Sequence, residues 1–220
     1  MHPVPALRRL PSGGLYAITD GPREDLLEAC AAALRGGATL LQYRDKTSDH
    51  ARRRDEALEL VALCARHHVP LIINDDTELA GDVGAAGAHL GEGDGDIAAA
   101  RRRLGTPAII GVSCYNSIQR ARQAAQDGAD YLAFGAFFNS PTKPHAHRAT
   151  PDLLRAAKSL GLPLVAIGGI TADNATELID AGADFVAVIS GVFGQDDIGA
   201  ATAKYKKLFD THSLDNMVNQ

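Results

Sequence analysis

The sequence predicts an α/β fold, a single (β/α)8 TIM barrel, and three observations carry that prediction. Eight short apolar, β-branched runs alternate with longer Ala- and charge-rich stretches, the rhythm of βα units around a parallel sheet. The turns into these runs repeat with a period of two units. The chain of 220 residues has room for one such barrel and little else, since a barrel domain takes roughly 200 to 250 residues. An open doubly wound sheet has about five or six strands and no such repeat.

The elements follow in order. Run 15–19 leads to a helix expected over 24–35, and Gly37-Ala38 turns the chain into run 39–43. A long charged helix over 49–67 ends before Pro70, which opens run 71–74; a shorter helical stretch follows Thr77. Gly87-Ala88 enters run 88–90, with another short helical stretch after Asp96, and Pro107 opens run 108–112. Helix 117–126, then Gly128-Ala129, leads to run 131–135; helix 151–160, then Pro163, leads to run 164–167. Helix 174–180, then Gly182-Ala183, leads to run 185–189, and a helix over 199–209 closes the barrel. Glycine at the even entries suits a left-handed helix C-cap. Proline at three odd entries stops the preceding helix, because the residue before it is pushed out of the α region. Residues 1–14 read as an N-terminal extension, 15–209 as the catalytic barrel, and 210–220 as a flexible tail without periodicity.

Composition narrows the class. With 45% hydrophobic and 22% charged residues the chain is in the ordinary globular range. The 22 basic against 27 acidic residues leave a net charge of −5, a field that repels nucleic acid, so any anionic ligand needs a local cluster of cations. Cys30, Cys64 and Cys114 have no disulfide or zinc spacing, which suits a reducing cytoplasm. Arg8 and Arg9 have no apolar run behind them, and no stretch is apolar enough to span a bilayer, so neither a signal peptide nor a membrane partner is expected.

In such a barrel the chemistry lies where strands run into the following helices. After the second run, Gln42, Arg44 and Lys46 are spaced by two, which in extended chain puts them on one side. Two cations and an amide suit a phosphate-rich ligand; a solvated charged loop is the plainer alternative. The third run ends in Asn74, Asp75 and Asp76, and the fourth is followed by Glu92 and Asp94. Carboxylates there, facing Arg44 and Lys46, suit Mg2+, which prefers oxygen ligands and shares them with substrate phosphates. Asp75 and Asp94 are the expected pair, with Asp76 better placed to cap the next helix. Ser113, after the fifth run, offers a hydroxyl to a phosphate, whereas Cys114 reads as a small packed residue. The loop 137–148 holds Ser140, Thr142, Lys143, His145 and His147. Its hydroxyls and lysine suit a lid over a diphosphate, while the two histidines lack further ligands for a metal site. Runs seven and eight end in Gly168-Gly169-Ile170-Thr171 and Ile189-Ser190-Gly191, where barrels of this type hold phosphate.

Together these residues resemble the thiamine-phosphate synthase family. The likeness extends from Tyr16-Ala17-Ile18-Thr19-Asp20 to about Phe193. It rests on Gln42-Tyr43-Arg44-Asp45-Lys46, Ile73-Asn74-Asp75-Asp76, His89-Leu90-Gly91, Gly111-Val112-Ser113, Gly128-Ala129-Asp130-Tyr131, Pro141-Thr142-Lys143 and Ile167-Gly168-Gly169-Ile170-Thr171. Three positions depart from the family's habit: Glu92 stands for Gln, Tyr115 where His is common, and Ser140 for Thr. The first changes the charge beside the expected metal, and the last keeps its hydroxyl.

The resemblance implies a transferase that couples a pyrimidine diphosphate to thiazole phosphate, or to carboxythiazole phosphate with loss of CO2, giving thiamine phosphate and pyrophosphate. It implies that Gln42, Arg44, Lys46, Asn74, Ser113 and Lys143 contact the pyrimidine diphosphate and that Asp75 and Asp94 hold Mg2+ as cofactor. Ser140 and Thr142 would lie near the thiazole phosphate, and Gly169, Ile189 and Ser190 would bind its phosphate. Arg44, Lys46 and Lys143 would carry the catalysis by stabilising charge on departing pyrophosphate. In the family the pyrimidine methylene then behaves as a cation captured by the thiazole nitrogen, so no protein nucleophile is required. The rivals are a thiazole tautomerase of the same fold, a non-catalytic phosphate-ligand sensor, and a sugar-phosphate isomerase, which would need an acid/base pair that the sequence does not nominate. Assembly with like chains is left open.

Overall fold

The computed structural model describes residues 9–93, 95–138 and 148–218, the last four by backbone alone. Apolar runs become strands β1 (Gly14–Ile18), β2 (Leu40–Tyr43), β3 (Leu71–Asn74), β4 (Gly87–Leu90), β5 (Ile109–Tyr115), β6 (Tyr131–Gly135), β7 (Leu164–Ile167) and β8 (Phe185–Val188). Between and after them run α1 (Leu26–Gly36), α2 (His50–Arg66), α3 (Thr77–Val83), α4 (Ile97–Leu104), α5 (Ile118–Gln126), α6 (Pro151–Ala157), α7 (Ala175–Asp180), α8 (Ser190–Phe193) and α9 (Ile198–Val218). The strands close in sequence order, all neighbours parallel, with β1 pairing both β2 and β8. This is the expected (β/α)8 barrel.

Alternation along the strands sorts the side chains into two cores. Leu15, Ala17, Leu41 and Ile73 face the helices. Tyr16, Ile18, Leu40, Ile72, Ile109, Tyr131, Val165 and Phe185 fill the lumen. The same parity continued to the C-terminal strand ends brings Gln42, Asn74, Ser113 and Ile189 to the mouth.

Several boundaries differ from the sequence reading: β5 runs on to Tyr115, so Ser113 and Cys114 lie within the strand, and a short α8 stands before α9. Gly87 is not a helix cap: it lies inside β4, where an added Cβ would stand 1.7 Å from the Ile109 carbonyl oxygen. The cap of α3 is Gly84, in the left-handed conformation at φ 68°. The repeat is therefore Gly84-Ala85 one unit and Gly37-Ala38, Gly128-Ala129 and Gly182-Ala183 in the others, each with one residue between alanine and strand. At the C-terminus α9 continues to Val218, so 210–218, expected without regular structure, is helical. No helix of the described residues is long and apolar enough to cross a membrane.

Candidate active site

The mouth is built from strand ends whose backbones are tied by residues that do not themselves face a ligand. At β2, Arg44 N–H donates to Thr19 Oγ1 at 2.8 Å, and that hydroxyl donates back to the Arg44 carbonyl at 3.2 Å. Asp45, fully buried in its side chain, accepts from Thr47 N–H and from the Arg52 guanidinium, each at 2.7 Å. Burial opposes the Asp45 charge, yet the bonds from Thr47 and Arg52 prevail and hold its carboxyl below the usual range. Arg52 also reaches Glu56 at 2.8 Å and Thr47 Oγ1 at 2.7 Å. This scaffold braces the segment that carries Arg44 and Lys46. The Arg44 guanidinium makes no ion pair with the described residues, whereas Lys46 Nζ stands 3.6 Å from Asp75 Oδ2.

At β3 the chain turns through Asp75, whose φ of 62° is left-handed and rare outside glycine. Its N–H donates across to the His89 carbonyl at 2.8 Å, and Asn74 Nδ2 donates to its Oδ2 at 2.6 Å. Asp76 caps α3 as expected, accepting from Leu79 N–H at 2.9 Å, and its other oxygen accepts from Arg53 at 3.0 Å. Capping commits Asp76 to structure and leaves Asp75 as the carboxylate at the mouth. An open cleft of about 450 Å³ lies here, lined by Lys46, Arg53, Asn74 and Asp75 among others.

At β5, Ser113 Oγ is 2.9 Å from His89 Nε2. Cys114 is fully buried and burial raises its thiol to about 12, which keeps it protonated and packed, as expected. Two of the departures from family habit touch: the Tyr115 hydroxyl accepts from Glu92 N–H at 3.1 Å. Arg120, 5.6 Å above the Tyr115 ring, donates to the Ser113 carbonyl at 2.6 Å and the Gly91 carbonyl at 3.3 Å, so it staples the ends of β4 and β5. At β7 and β8, Gly169 is left-handed at φ 67°, and its carbonyl accepts from Asn174 Nδ2 at 3.1 Å. Ile189 precedes α8, and Ser190 opens it with an exposed side chain.

The structure thus places Gln42, Arg44, Lys46, Asn74, Asp75, Ser113, Gly169, Ile189 and Ser190 at the C-terminal mouth. Asp94, Ser140, Thr142, Lys143, His145 and His147 lie outside the described residues. Among the described residues no group of three or more His, Cys, Asp or Glu gathers as a metal site. Sequence reasoning missed the bracing by Thr19, Asp45 and Arg52 and the staple by Arg120. Thr19 and Asp45 stood inside quoted motifs, but Arg52 and Arg120 looked like ordinary helix-surface charges.

A family model described as thiamine monophosphate synthase matches residues 15–192. The thiamine-phosphate synthase of Nitrosococcus oceani is 54% identical over 205 residues, covering 91% of this chain and 94% of that protein. That of Xanthomonas campestris is 55% identical over 197 residues, covering 89% and 95%. Among solved structures, thiamine phosphate pyrophosphorylase from Pyrococcus furiosus superimposes with a TM-score of 0.81 at 34% identity, covering 91% of this chain and 96% of that one. With a family model spanning the whole barrel and relatives above half identity along nearly their full length, the chain belongs to the thiamine monophosphate synthase family.

Proposed function

We propose that this chain is a thiamine-phosphate synthase, a transferase that couples the pyrimidine diphosphate to thiazole phosphate, or its carboxylated form, and releases pyrophosphate. The observation that carries the reading is the arrangement at the mouth of β2 and β3: a braced Arg44 without an ion-pair partner among the described residues, and Lys46 beside Asp75. A cation with no ion pair among the described residues, beside a lysine–carboxylate pair, suits a diphosphate that arrives with a metal ion.

Mg2+ fits this donor set. The ion binds through one or two carboxylates, keeps several waters and takes its remaining ligands from substrate phosphates, so Asp75 with Asp94 would hold it without a larger protein cage. When bound, Mg2+ would supply Lewis-acid stabilisation of charge on the leaving diphosphate. The chain's own cations do the rest. Arg44, Lys46 and Lys143 stabilise the electron pair that passes to pyrophosphate as the methylene carbon–oxygen bond breaks, and the thiazole nitrogen lone pair then forms the new bond to that carbon. Gln42, Asn74 and Ser113 orient the pyrimidine diphosphate. Ser140 and Thr142 approach the thiazole phosphate, with Gly169, Ile189 and Ser190 around its phosphate group.

The metal assignment is tested by titrating Mg2+ into the assayed enzyme. Asp75→Asn is expected to raise the half-saturating Mg2+ at least tenfold; an unchanged value would remove Asp75 from the metal site.

A further inference from the structure

The barrel lumen is apolar except for a continuous line of polar groups that joins two residues assigned to the substrate. Gln42 Nε2 donates to the Tyr16 hydroxyl at 2.7 Å, and that oxygen is 2.8 Å from the Tyr131 hydroxyl. The Tyr131 oxygen is 2.9 Å from His89 Nδ1, and His89 Nε2 is 2.9 Å from Ser113 Oγ. We propose that Tyr16, Tyr131 and His89 form a buried relay that positions Gln42 and Ser113 for the substrate, with every proton pointing from β2 towards β5. The inference rests on the synthase reading above.

The direction follows from satisfying each buried donor. Tyr16 accepts from Gln42, so its own proton goes to Tyr131, the other hydroxyl within reach. With Gln42 Nε2 towards Tyr16, the reverse order would leave the Tyr16 proton without an acceptor, a cost of roughly 1–3 kcal/mol; only turning the amide over would reverse the line, and the His89 tautomer distinguishes the two. Tyr131 then donates to His89 Nδ1, which makes the imidazole a neutral ring with its proton on Nε2, donating to Ser113. Burial pushes both phenols well above their ordinary range, so neither proton is lost at working pH. The line ends at β2 with Gln42 Oε1 as acceptor and the second Nε2 proton as donor, and at β5 with the Ser113 hydroxyl as donor. A ligand is therefore expected to bring an acceptor to β5, whereas the β2 amide can meet a donor or an acceptor.

Two packing facts show that the line is built rather than incidental. The Tyr131 ring meets Tyr16 edge-on at 5.9 Å and stacks on His89 at 5.6 Å. Gly111 makes the room: a Cβ there would lie 1.8 Å from Tyr131 Cζ. Polar groups in an apolar lumen are costly unless all are bonded, and apolar side chains could fill the space. Tyr16, His89, Gly111 and Tyr131 all stand in the motifs that marked the family resemblance, and the coupling chemistry alone gives none of them a part.

The test is whether Ser113 depends on Tyr131. Ser113→Ala is expected to lower kcat/KM about tenfold in the wild type but less than threefold in Tyr131→Phe, where the hydroxyl has already lost its aim. A purely structural tyrosine would lower Tm and leave the Ser113→Ala factor the same in both backgrounds, which overturns the relay. A second measurement needs no folded variant of Tyr131. Nitrogen-15 spectra of the wild-type chain, with the His89 signal assigned by its loss in His89→Gln, are expected to show the neutral ring protonated on Nε2. A ring protonated on Nδ1 overturns the direction. Absence of turnover in the wild type would instead defeat the synthase reading, and the tautomer would still decide the relay.

Discussion

Arg44 shows how a single side chain is prepared for an anion. Its backbone is locked to Thr19 in both directions while its guanidinium stays without an ion pair among the described residues, so no ion pair with them must break when a diphosphate arrives. Arg44→Ala is expected to lower kcat/KM about 100-fold, the cost of removing one strong electrostatic donor, and steady-state kinetics would show it. Asp45 behind it is a structural charge. Because its folded carboxyl is held below the usual range, the stabilisation is present in full above the unfolded value of about 3.9 and is lost as pH falls through the folded value. Urea midpoints of wild type and Asp45→Asn should therefore differ most above about pH 5 and converge in acid; a gap independent of pH would contradict the charge-assisted role. Cys114, fully buried and with burial pushing its thiol up, should resist alkylation in the native protein at pH 8. Residue identities at the mouth were legible because polar types cluster after apolar runs. Their partners were not: spacing by two sets Asp45 on the side away from Gln42, Arg44 and Lys46, but only the fold shows that it meets Thr47 and Arg52 there.

Strands were read correctly in number and order, and the error at the entry to the fourth is instructive. Residues 84–87 contain two glycines, and either can start a Gly-Ala step. Periodicity favoured the one adjoining the apolar run, whereas helix geometry assigned the cap to Gly84, since α3 ends at Val83. The two glycines should respond differently to alanine. At Gly84 nothing lies within 4 Å of an added Cβ, so the cost is the left-handed strain of about 1–2 kcal/mol. At Gly87 the Cβ would overlap the backbone of β5, which no rotamer change relieves, so thermal denaturation should show a larger loss. Equal losses would contradict the assigned positions. The C-terminal helix illustrates the opposite limit: 210–218 lacks an apolar stripe, and its helicity continues α9 rather than being announced by its own pattern.

At the scale of the whole molecule, a chain of net charge −5 carries cations on several faces, and on the proposed reading it is Arg44 and Lys46, at the mouth of the barrel, that meet the anion. The barrel was legible because eight apolar runs alternate with helical stretches and their punctuation repeats every two units. The polar line through the lumen was not, because Tyr16 and Tyr131 stand 115 residues apart and only closure of the sheet brings them together. The most direct measurement is to incubate the purified chain with the pyrimidine diphosphate, thiazole phosphate and Mg2+ and to quantify both products. Equal amounts of thiamine phosphate and pyrophosphate, formed only with the metal, are predicted. Binding of thiazole phosphate without either product would contradict the synthase and leave a phosphate-ligand sensor in its place.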